Sequence, residues 1–211
     1  MSPSPIERYR ALLNAGQLRP DKTQARAAQA LEFLYRSLKA YRPRPRRIFR
    51  VAFGSQESSA PKGLYIHGDV GRGKSALMDM FFESAPTARK RRVHFNQFMT
   101  DTHQRIHEWR NLSQEEKSRR PEFIREAEDD PIAPVAKAIL SEARLLCLDE
   151  FQVNDVADAM ILGRLFEKLL GWGAVIVLTS NTEPDHLYED GLNRQLFLPF
   201  IALIKERLEM I

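Results

Sequence analysis

Residues Lys62–Phe82 read KGLYIHGDVGRGKSALMDMFF. The apolar run from Gly63 to His67 predicts a short buried strand, Gly68 to Gly73 a glycine-rich turn, and a helix opens at Lys74. Gly68, Gly71, Gly73, Lys74 and Ser75 spell G-x-x-x-x-G-K-S in the strand–loop–helix order of a phosphate-binding loop. The chemistry requires these residue types. Backbone N–H groups must turn inward around phosphate, and glycine lets the chain curl and approach that closely. The following helix adds unpaired N–H groups and the positive end of its dipole. The whole run Gly68, Asp69, Val70, Gly71, Arg72, Gly73, Lys74, Ser75 and Ala76 is therefore the expected nucleotide cradle. Lys74 is expected to reach the β- and γ-phosphates as a point charge. Ser75 is expected to offer its hydroxyl to Mg²⁺.

A second stretch completes the chemistry. Leu145–Glu150, LLCLDE, is an apolar run ending in two acids. A buried parallel strand reads as continuous apolar residues, and open α/β sheets bind ligands at the carboxyl ends of their strands. Asp149 is expected to hold Mg²⁺ with Ser75. Glu150 is placed to orient or deprotonate an attacking water. By itself the pattern also fits a strand followed by an acidic turn. After Val156–Leu170, an amphipathic helix ended by Gly171-Trp172-Gly173, comes a further apolar strand, Ala174–Leu178, running into Thr179-Ser180-Asn181. Asn181 is the chosen candidate for the γ-phosphate or the attacking water, although Ser and Asn also serve as plain turn formers. Arg194 stands out in DGLNRQLFLPF as an arginine finger for a neighbouring subunit's γ-phosphate. A surface salt bridge is its ordinary alternative.

The rest of the chain bounds the reading. With 211 residues there is room for one well-cored domain or one domain with a small appendage. The single cysteine, Cys147, excludes a disulfide within the chain and suits a reducing compartment. No apolar run is long enough for a membrane helix, and the N-terminus lacks the apolar core of a secretory signal. Bacterial cytosol is favoured over a mitochondrial transit peptide because the Arg-rich start continues into a folded-looking helix.

The net charge of +4 is uneven, with twelve Lys/Arg against four Asp/Glu in residues 1–60. Ile6–Asn14 predicts a short helix. Asp21-Lys-Thr-Gln24 is a capping-box-like start to a longer one, ending near Tyr41 before Pro43 and Pro45. Arg42–Arg50 is a basic connection, read as a solvated linker or a contact for an acidic partner, phosphate backbone or anionic membrane. Ile48–Phe53 is a further strand candidate, and Ser55–Ala60 a loop. Arg89–Arg92 is read as the solvated approach to an edge strand Val93–Phe95, ahead of a nucleic-acid patch. Gln97–Ser141 predicts helices broken at Pro121 and at Pro131/Pro134. Within them His103 and His107 lie one turn apart, downstream of His94, a spacing that suits surface histidines better than a metal. Phe200–Glu206 predicts a final helix, and Leu208–Ile211 the start of another apolar stretch.

Taken together, GLYIHGDVGRGKSALMDMFF, RVHFNQFMTDTHQRIH, LLCLDEFQVNDVADAMIL, VLTSN and YEDGLNRQLFLPFI resemble the ZapE-type cell-division ATPases. These group with a mitochondrial sister branch among AAA+-like P-loop ATPases. The resemblance runs from about Tyr9 to the last residue and rests above all on LDEFQVNDVADAM and GLNRQLFLPFI. It implies an α/β P-loop NTPase with an AAA+-type parallel five-stranded sheet flanked by helices, hydrolysing ATP with Mg²⁺. It implies a protein client, FtsZ polymers at the bacterial division ring, and a homo-oligomer. Peripheral membrane association is a further expectation, and a nucleic-acid role such as a helicase loader is the less favoured alternative. Carried over, Lys74 and Ser75 fall on Walker A, Asp149 and Glu150 on Walker B, Asn181 on sensor 1 and Arg194 on the arginine finger. The expected division is an N-terminal helical, basic segment, 1–54, and an ATPase core, 55–211, truncated before a helical lid. Asp69 departs from the family pattern by placing a like charge near the phosphates. A nucleotide-gated adaptor that binds ATP without turnover is the non-enzymatic alternative, and Glu150 speaks against it.

Overall fold

In the strands at the centre, nearly every residue is apolar because both faces are covered. The computed structural model describes residues 3–41, 60–127 and 130–211. The expected strand Ile48–Phe53, the basic linker and the expected 54/55 boundary lie outside the described residues. Five parallel strands, β1 (Gly63–His67), β2 (Lys90–His94), β3 (Leu145–Asp149), β4 (Val175–Ser180) and β5 (Leu208–Met210), form one sheet in the order β2-β3-β4-β1-β5. The chain leaves β1 for the far edge, returns through β3 and β4, then crosses β1 to form β5. β1 is thus the point where the order reverses, and its carboxyl end is where such a sheet binds ligands.

The two-residue period of each strand sorts side chains to two cores. Leu64, Ile66, Leu145, Cys147, Val175 and Val177 face α1 (Pro5–Asn14), α2 (Lys22–Ala40) and α3 (Lys74–Ser84). Tyr65, Leu146, Leu148, Ile176 and Leu178 face the other layer, in which α4 (Phe95–Asn111), α6 (Ile132–Glu142), α7 (Val156–Gly171) and α8 (Leu198–Arg207) pack. The five-residue α5 (Gln114–Ser118) follows α4 and carries no buried residue. Gly63 is fixed by close approach: a Cβ there would stand 1.8 Å from the Ile176 carbonyl oxygen.

Local signals set the helix ends. Ser4 and Glu7 form a complete capping box on α1. At α2 only half the expected box exists: Asp21 Oδ1 accepts from the Gln24 N–H (2.9 Å), while no return bond comes from the Gln24 side chain. α1 is joined to α2 by the Ile6 N–H, which donates to Glu32 Oε2 (3.2 Å), and to α3 by Arg8 and Glu83 (2.5 Å).

The structure departs from the sequence expectations in four places. The apolar end, Leu208–Met210, is the fifth strand, in register with Gly63–Tyr65. β4 runs two residues beyond Leu178, because Thr179 and Ser180 find buried partners. The helical break after α4 falls at Leu112, where Ser113 starts a new capping box, ahead of Pro121. The basic run is itself strand from Lys90, at the sheet's edge as expected; Arg89 is exposed and Lys90–Arg92 are half-buried, and each has an internal partner. Arg89 donates to the Leu140 carbonyl (2.7 Å), and the Lys90 ammonium to the carbonyls of Phe82 (2.5 Å) and Ala85 (3.2 Å). Arg91 pairs with Asp101, and Arg92 with Asp79 and Asp149.

Candidate functional site

The loop Gly68–Gly73 leaves the carboxyl end of β1 and runs straight into α3. Gly71 and Gly73 have φ of 80° and 76°, the left-handed region that glycine enters without strain. No side chain caps α3, which leaves its first N–H groups without a side-chain partner at the end of the loop. The Lys74 ammonium lies inside the curl and donates to the carbonyls of Gly68 (2.6 Å) and Asp69 (2.8 Å). Burial holds its pKa below the ordinary lysine value, and the Asp69 charge opposes that shift. Asp69 is balanced by Arg72, whose guanidinium is 3.7 Å from its carboxylate and 3.3 Å from that of Asp21. Val70 and Ser75 are exposed on the loop and the first helical turn, and Ala76 is half-buried.

Asp149 ends β3, only 3% exposed, and β4 separates it from β1 in the sheet. Its Oδ1 accepts from the Thr179 hydroxyl (3.1 Å) and its Oδ2 from Arg92 Nε (2.6 Å). Arg92 also pairs with Asp79, one helical turn past Ser75 on α3. One guanidinium thus ties the helix behind the glycine loop to the acid at the end of β3. Lys74, Ser75 and Asp149 therefore share one edge of the sheet.

Glu150 has φ 56°, a strained backbone for a glutamate, stabilised where its N–H donates to Thr179 Oγ1 (3.2 Å). Its carboxylate is exposed and lies 3.8 Å from His94 Nδ1 at the end of β2. Phe151 is fully buried immediately after it, stacked on Phe200 and packed against Phe95, Phe166 and Tyr65.

Asn181 follows the end of β4. Ser180 is in register with His67, and its carbonyl accepts from the Gly68 N–H (3.3 Å), so Asn181 stands exposed beside the start of the loop. Arg194 opens a short 3-10 turn before α8 and donates to the Asp185 carbonyl, away from the loop contacts. Three neighbours of the acids escaped the sequence reading: Thr179, Arg92 and His94. Thr179 was within reach, since strand alternation with β4 extended by one residue places it beside Asp149.

The two histidines of the pair have separate side-chain partners. His103 Nε2 lies 2.6 Å from Asp158 Oδ1 and His107 Nε2 is 2.9 Å from Asn111. Among the described residues no three His, Cys, Asp or Glu side chains gather as ligands. Ser75 and Asp149 offer a hydroxyl and a carboxylate. That hard-oxygen pair suits Mg²⁺, which keeps water and substrate phosphate oxygens for its remaining positions.

Sheet order, glycine loop and paired acids define a P-loop protein of the AAA+ type. Solved structures share the fold at low identity: DnaI (TM-score 0.57, 16% identity, covering 93% of this chain and 88% of that one) and AMPPCP-bound DnaA from Aquifex aeolicus (TM-score 0.56, 14% identity, 92% and 48%). The chain belongs to the AFG1-like ATPase family, whose profile matches residues 3–211. It is 37% identical over 218 residues to the cell division protein ZapE of Escherichia coli K12, covering 99% of this chain and 54% of that protein. It is 50% identical over 152 residues to lactation elevated protein 1 homolog B of Danio rerio, covering 72% of this chain and 29% of that protein. The chain thus spans about half or less of these relatives' length.

Proposed function

We propose that this chain binds ATP with Mg²⁺ at the carboxyl edge of β1, β3 and β4, and hydrolyses it to move a protein client. The observation that carries the reading is the convergence of Lys74, Ser75, Asp149 and Glu150 on one sheet edge, linked through Arg92 and Thr179. In this reading the amides of Gly68–Ala76 and the Lys74 ammonium hold the phosphates. Ser75 and Asp149 hold Mg²⁺, which when bound neutralises charge on the transferring phosphoryl group. Glu150 orients the attacking water and Asn181 holds its far side. Arg194 acts on the nucleotide of a neighbouring copy, which makes the working form a homo-oligomer.

The likeness to cell division protein ZapE of Escherichia coli supports a role in cell division; within this reading the client is the FtsZ polymer and the setting the bacterial cytoplasm. The helicase-loader alternative rests on the basic N-terminal third, and Arg89–Arg92 adds little to it, because those side chains have internal partners. The test is ATP turnover and ATP binding measured side by side. Lys74→Ala should lose both. Glu150→Gln should keep binding and lose turnover by about a hundredfold or more, the scale of positioned acid–base catalysis. Unchanged turnover in Glu150→Gln removes that residue from the chemistry.

A further inference from the structure

Five of the seven large apolar side chains exposed among the described residues stand at one end of the α7–α8 pair: Val156, Met160, Leu192, Leu196 and Leu198. Both helices run from the carboxyl edge of the sheet to its amino edge, α7 between β3 and β4 and α8 between β4 and β5. They touch where a Cβ on Gly163 would stand 4.0 Å from the Phe200 Cβ. Met160 lies three residues before Gly163 and Leu196 four before Phe200, which brings both to the rim beside Arg194. Single exposed leucines are ordinary, but a grouping of this kind marks a surface that another molecule covers.

The charges around the rim say what the covering molecule carries. Glu183, Glu189 and Asp190 are exposed with no side-chain partner among the described residues. Such a border repels phosphate, whether of nucleic acid or of an anionic membrane, and attracts cations. A basic surface with an apolar tip exists on the chain itself. Leu18 and Gln24 come within 3.7 Å and 3.3 Å of where a Cβ on Gly73 would stand, so the exposed Arg19, Lys22 and Arg26 line the flank of the glycine loop. None of the three has a side-chain partner among the described residues, and Val70, 82% exposed, tops the loop beside them. The two surfaces cannot meet within one copy. The rim belongs to the layer of α7 and α8 and the flank to the layer of α1, α2 and α3, with the sheet between them.

We infer that the Leu192–Leu198 turn, with Met160, is the docking face for a second copy of this chain, which seats the flank of its glycine loop there. The inference rests on the role proposed above for Arg194. Leu192 and Leu196 lie two residues either side of that arginine. Reaching a neighbour's phosphates therefore lays them against Val70 of the next copy, and sets the three free carboxylates opposite its three free cations. A contact between unlike patches is head-to-tail, and it repeats into a ring or a filament.

Sedimentation velocity over a concentration series, with and without ATP and Mg²⁺, reads the assembly. The wild type should assemble. Leu192→Ser with Leu196→Ser should weaken self-association by about tenfold or more, the effect of leaving two leucines in water. Glu189→Lys with Asp190→Lys should weaken it by a similar factor, and so should Lys22→Glu with Arg26→Glu. Mixing these two charge-reversed chains should restore assembly, because each reversed patch then meets its opposite. That recovery decides the matter even if the leucine variant folds poorly. A wild type that stays monomeric throughout, or a mixture that fails to recover, overturns the docking face, while ATP binding at the loop is measured apart and can survive it. Turnover that still climbs with concentration in all the variants leaves Arg194 its neighbour and overturns this face as the contact. Assembly that follows the charge swap without raising turnover supports the face and removes Arg194 from the chemistry.

Discussion

At the scale of single residues, Thr179 is the hinge pin of the acid pair. One hydroxyl donates to Asp149 Oδ1 and accepts the Glu150 N–H, and the residue is only 2% exposed. Thr179→Val keeps the shape and removes both bonds. Leaving a buried carboxylate oxygen and a strained peptide N–H short of partners should cost about 1–3 kcal/mol in urea unfolding. A loss below a few tenths would mean that water replaces the hydroxyl. The place of Asp149 and Glu150 at the end of a buried strand was legible in the sequence, because the apolar run stops at the two acids. Thr179 becomes legible only once β4 is extended by one residue, because a threonine at a strand end looks the same whether it faces solvent or a carboxylate. Arg92 hid for a different reason: its partners, Asp79 and Asp149, lie 13 and 57 residues away and meet it only through the sheet order.

At the scale of elements, the docking of α1 is the feature open to a pH test. Burial would raise the Glu32 carboxyl, and the hydrogen bonds from the Ile6 N–H and Arg36 more than offset this, leaving its pKa below the ordinary 4.5. A depressed carboxylate contributes stability that is complete above its unfolded pKa and fades as pH falls through the lower folded one. Glu32→Ala should therefore cost about 1–2 kcal/mol at pH 7, and the gap to the wild type should shrink as pH drops below about 4.5. A pH-independent gap in denaturant unfolding would assign the cost to packing alone. The elements themselves were mostly legible. Gly63–His67 and the opening of α3 at Lys74 came directly from the residues, and the α1 and α2 boundaries came within one or two positions. β5 was hidden because three residues, Leu208–Met210, are too short for periodicity to speak; only pairing with β1 makes them strand. The basic run misled for a related reason. Four cations in a row look solvated until the sheet brings carbonyls and carboxylates to each.

Across the whole molecule, two measurements reach past any single element. Cys147 lies fully buried in the middle of β3, where burial first, and the Asp149 charge second, push its thiol up. An aromatic disulfide reagent should label it only as fast as the protein unfolds globally. Prompt labelling in native buffer would show that the layer of α1, α2 and α3 lifts from the sheet locally. The second measurement is the ATP turnover rate per chain against protein concentration. It should climb as copies assemble and stay flat and low in Arg194→Ala. A rate independent of both concentration and Arg194 removes the role of a neighbouring copy. The aromatic pile behind Glu150 has a mechanical meaning on this scale. Phe151 anchors the chain just after the acid: its ring stacks on Phe200 of α8, which packs on Phe197, three residues past Arg194. A continuous file of rings thus runs from beside the Arg194 turn to the residue that follows the acid.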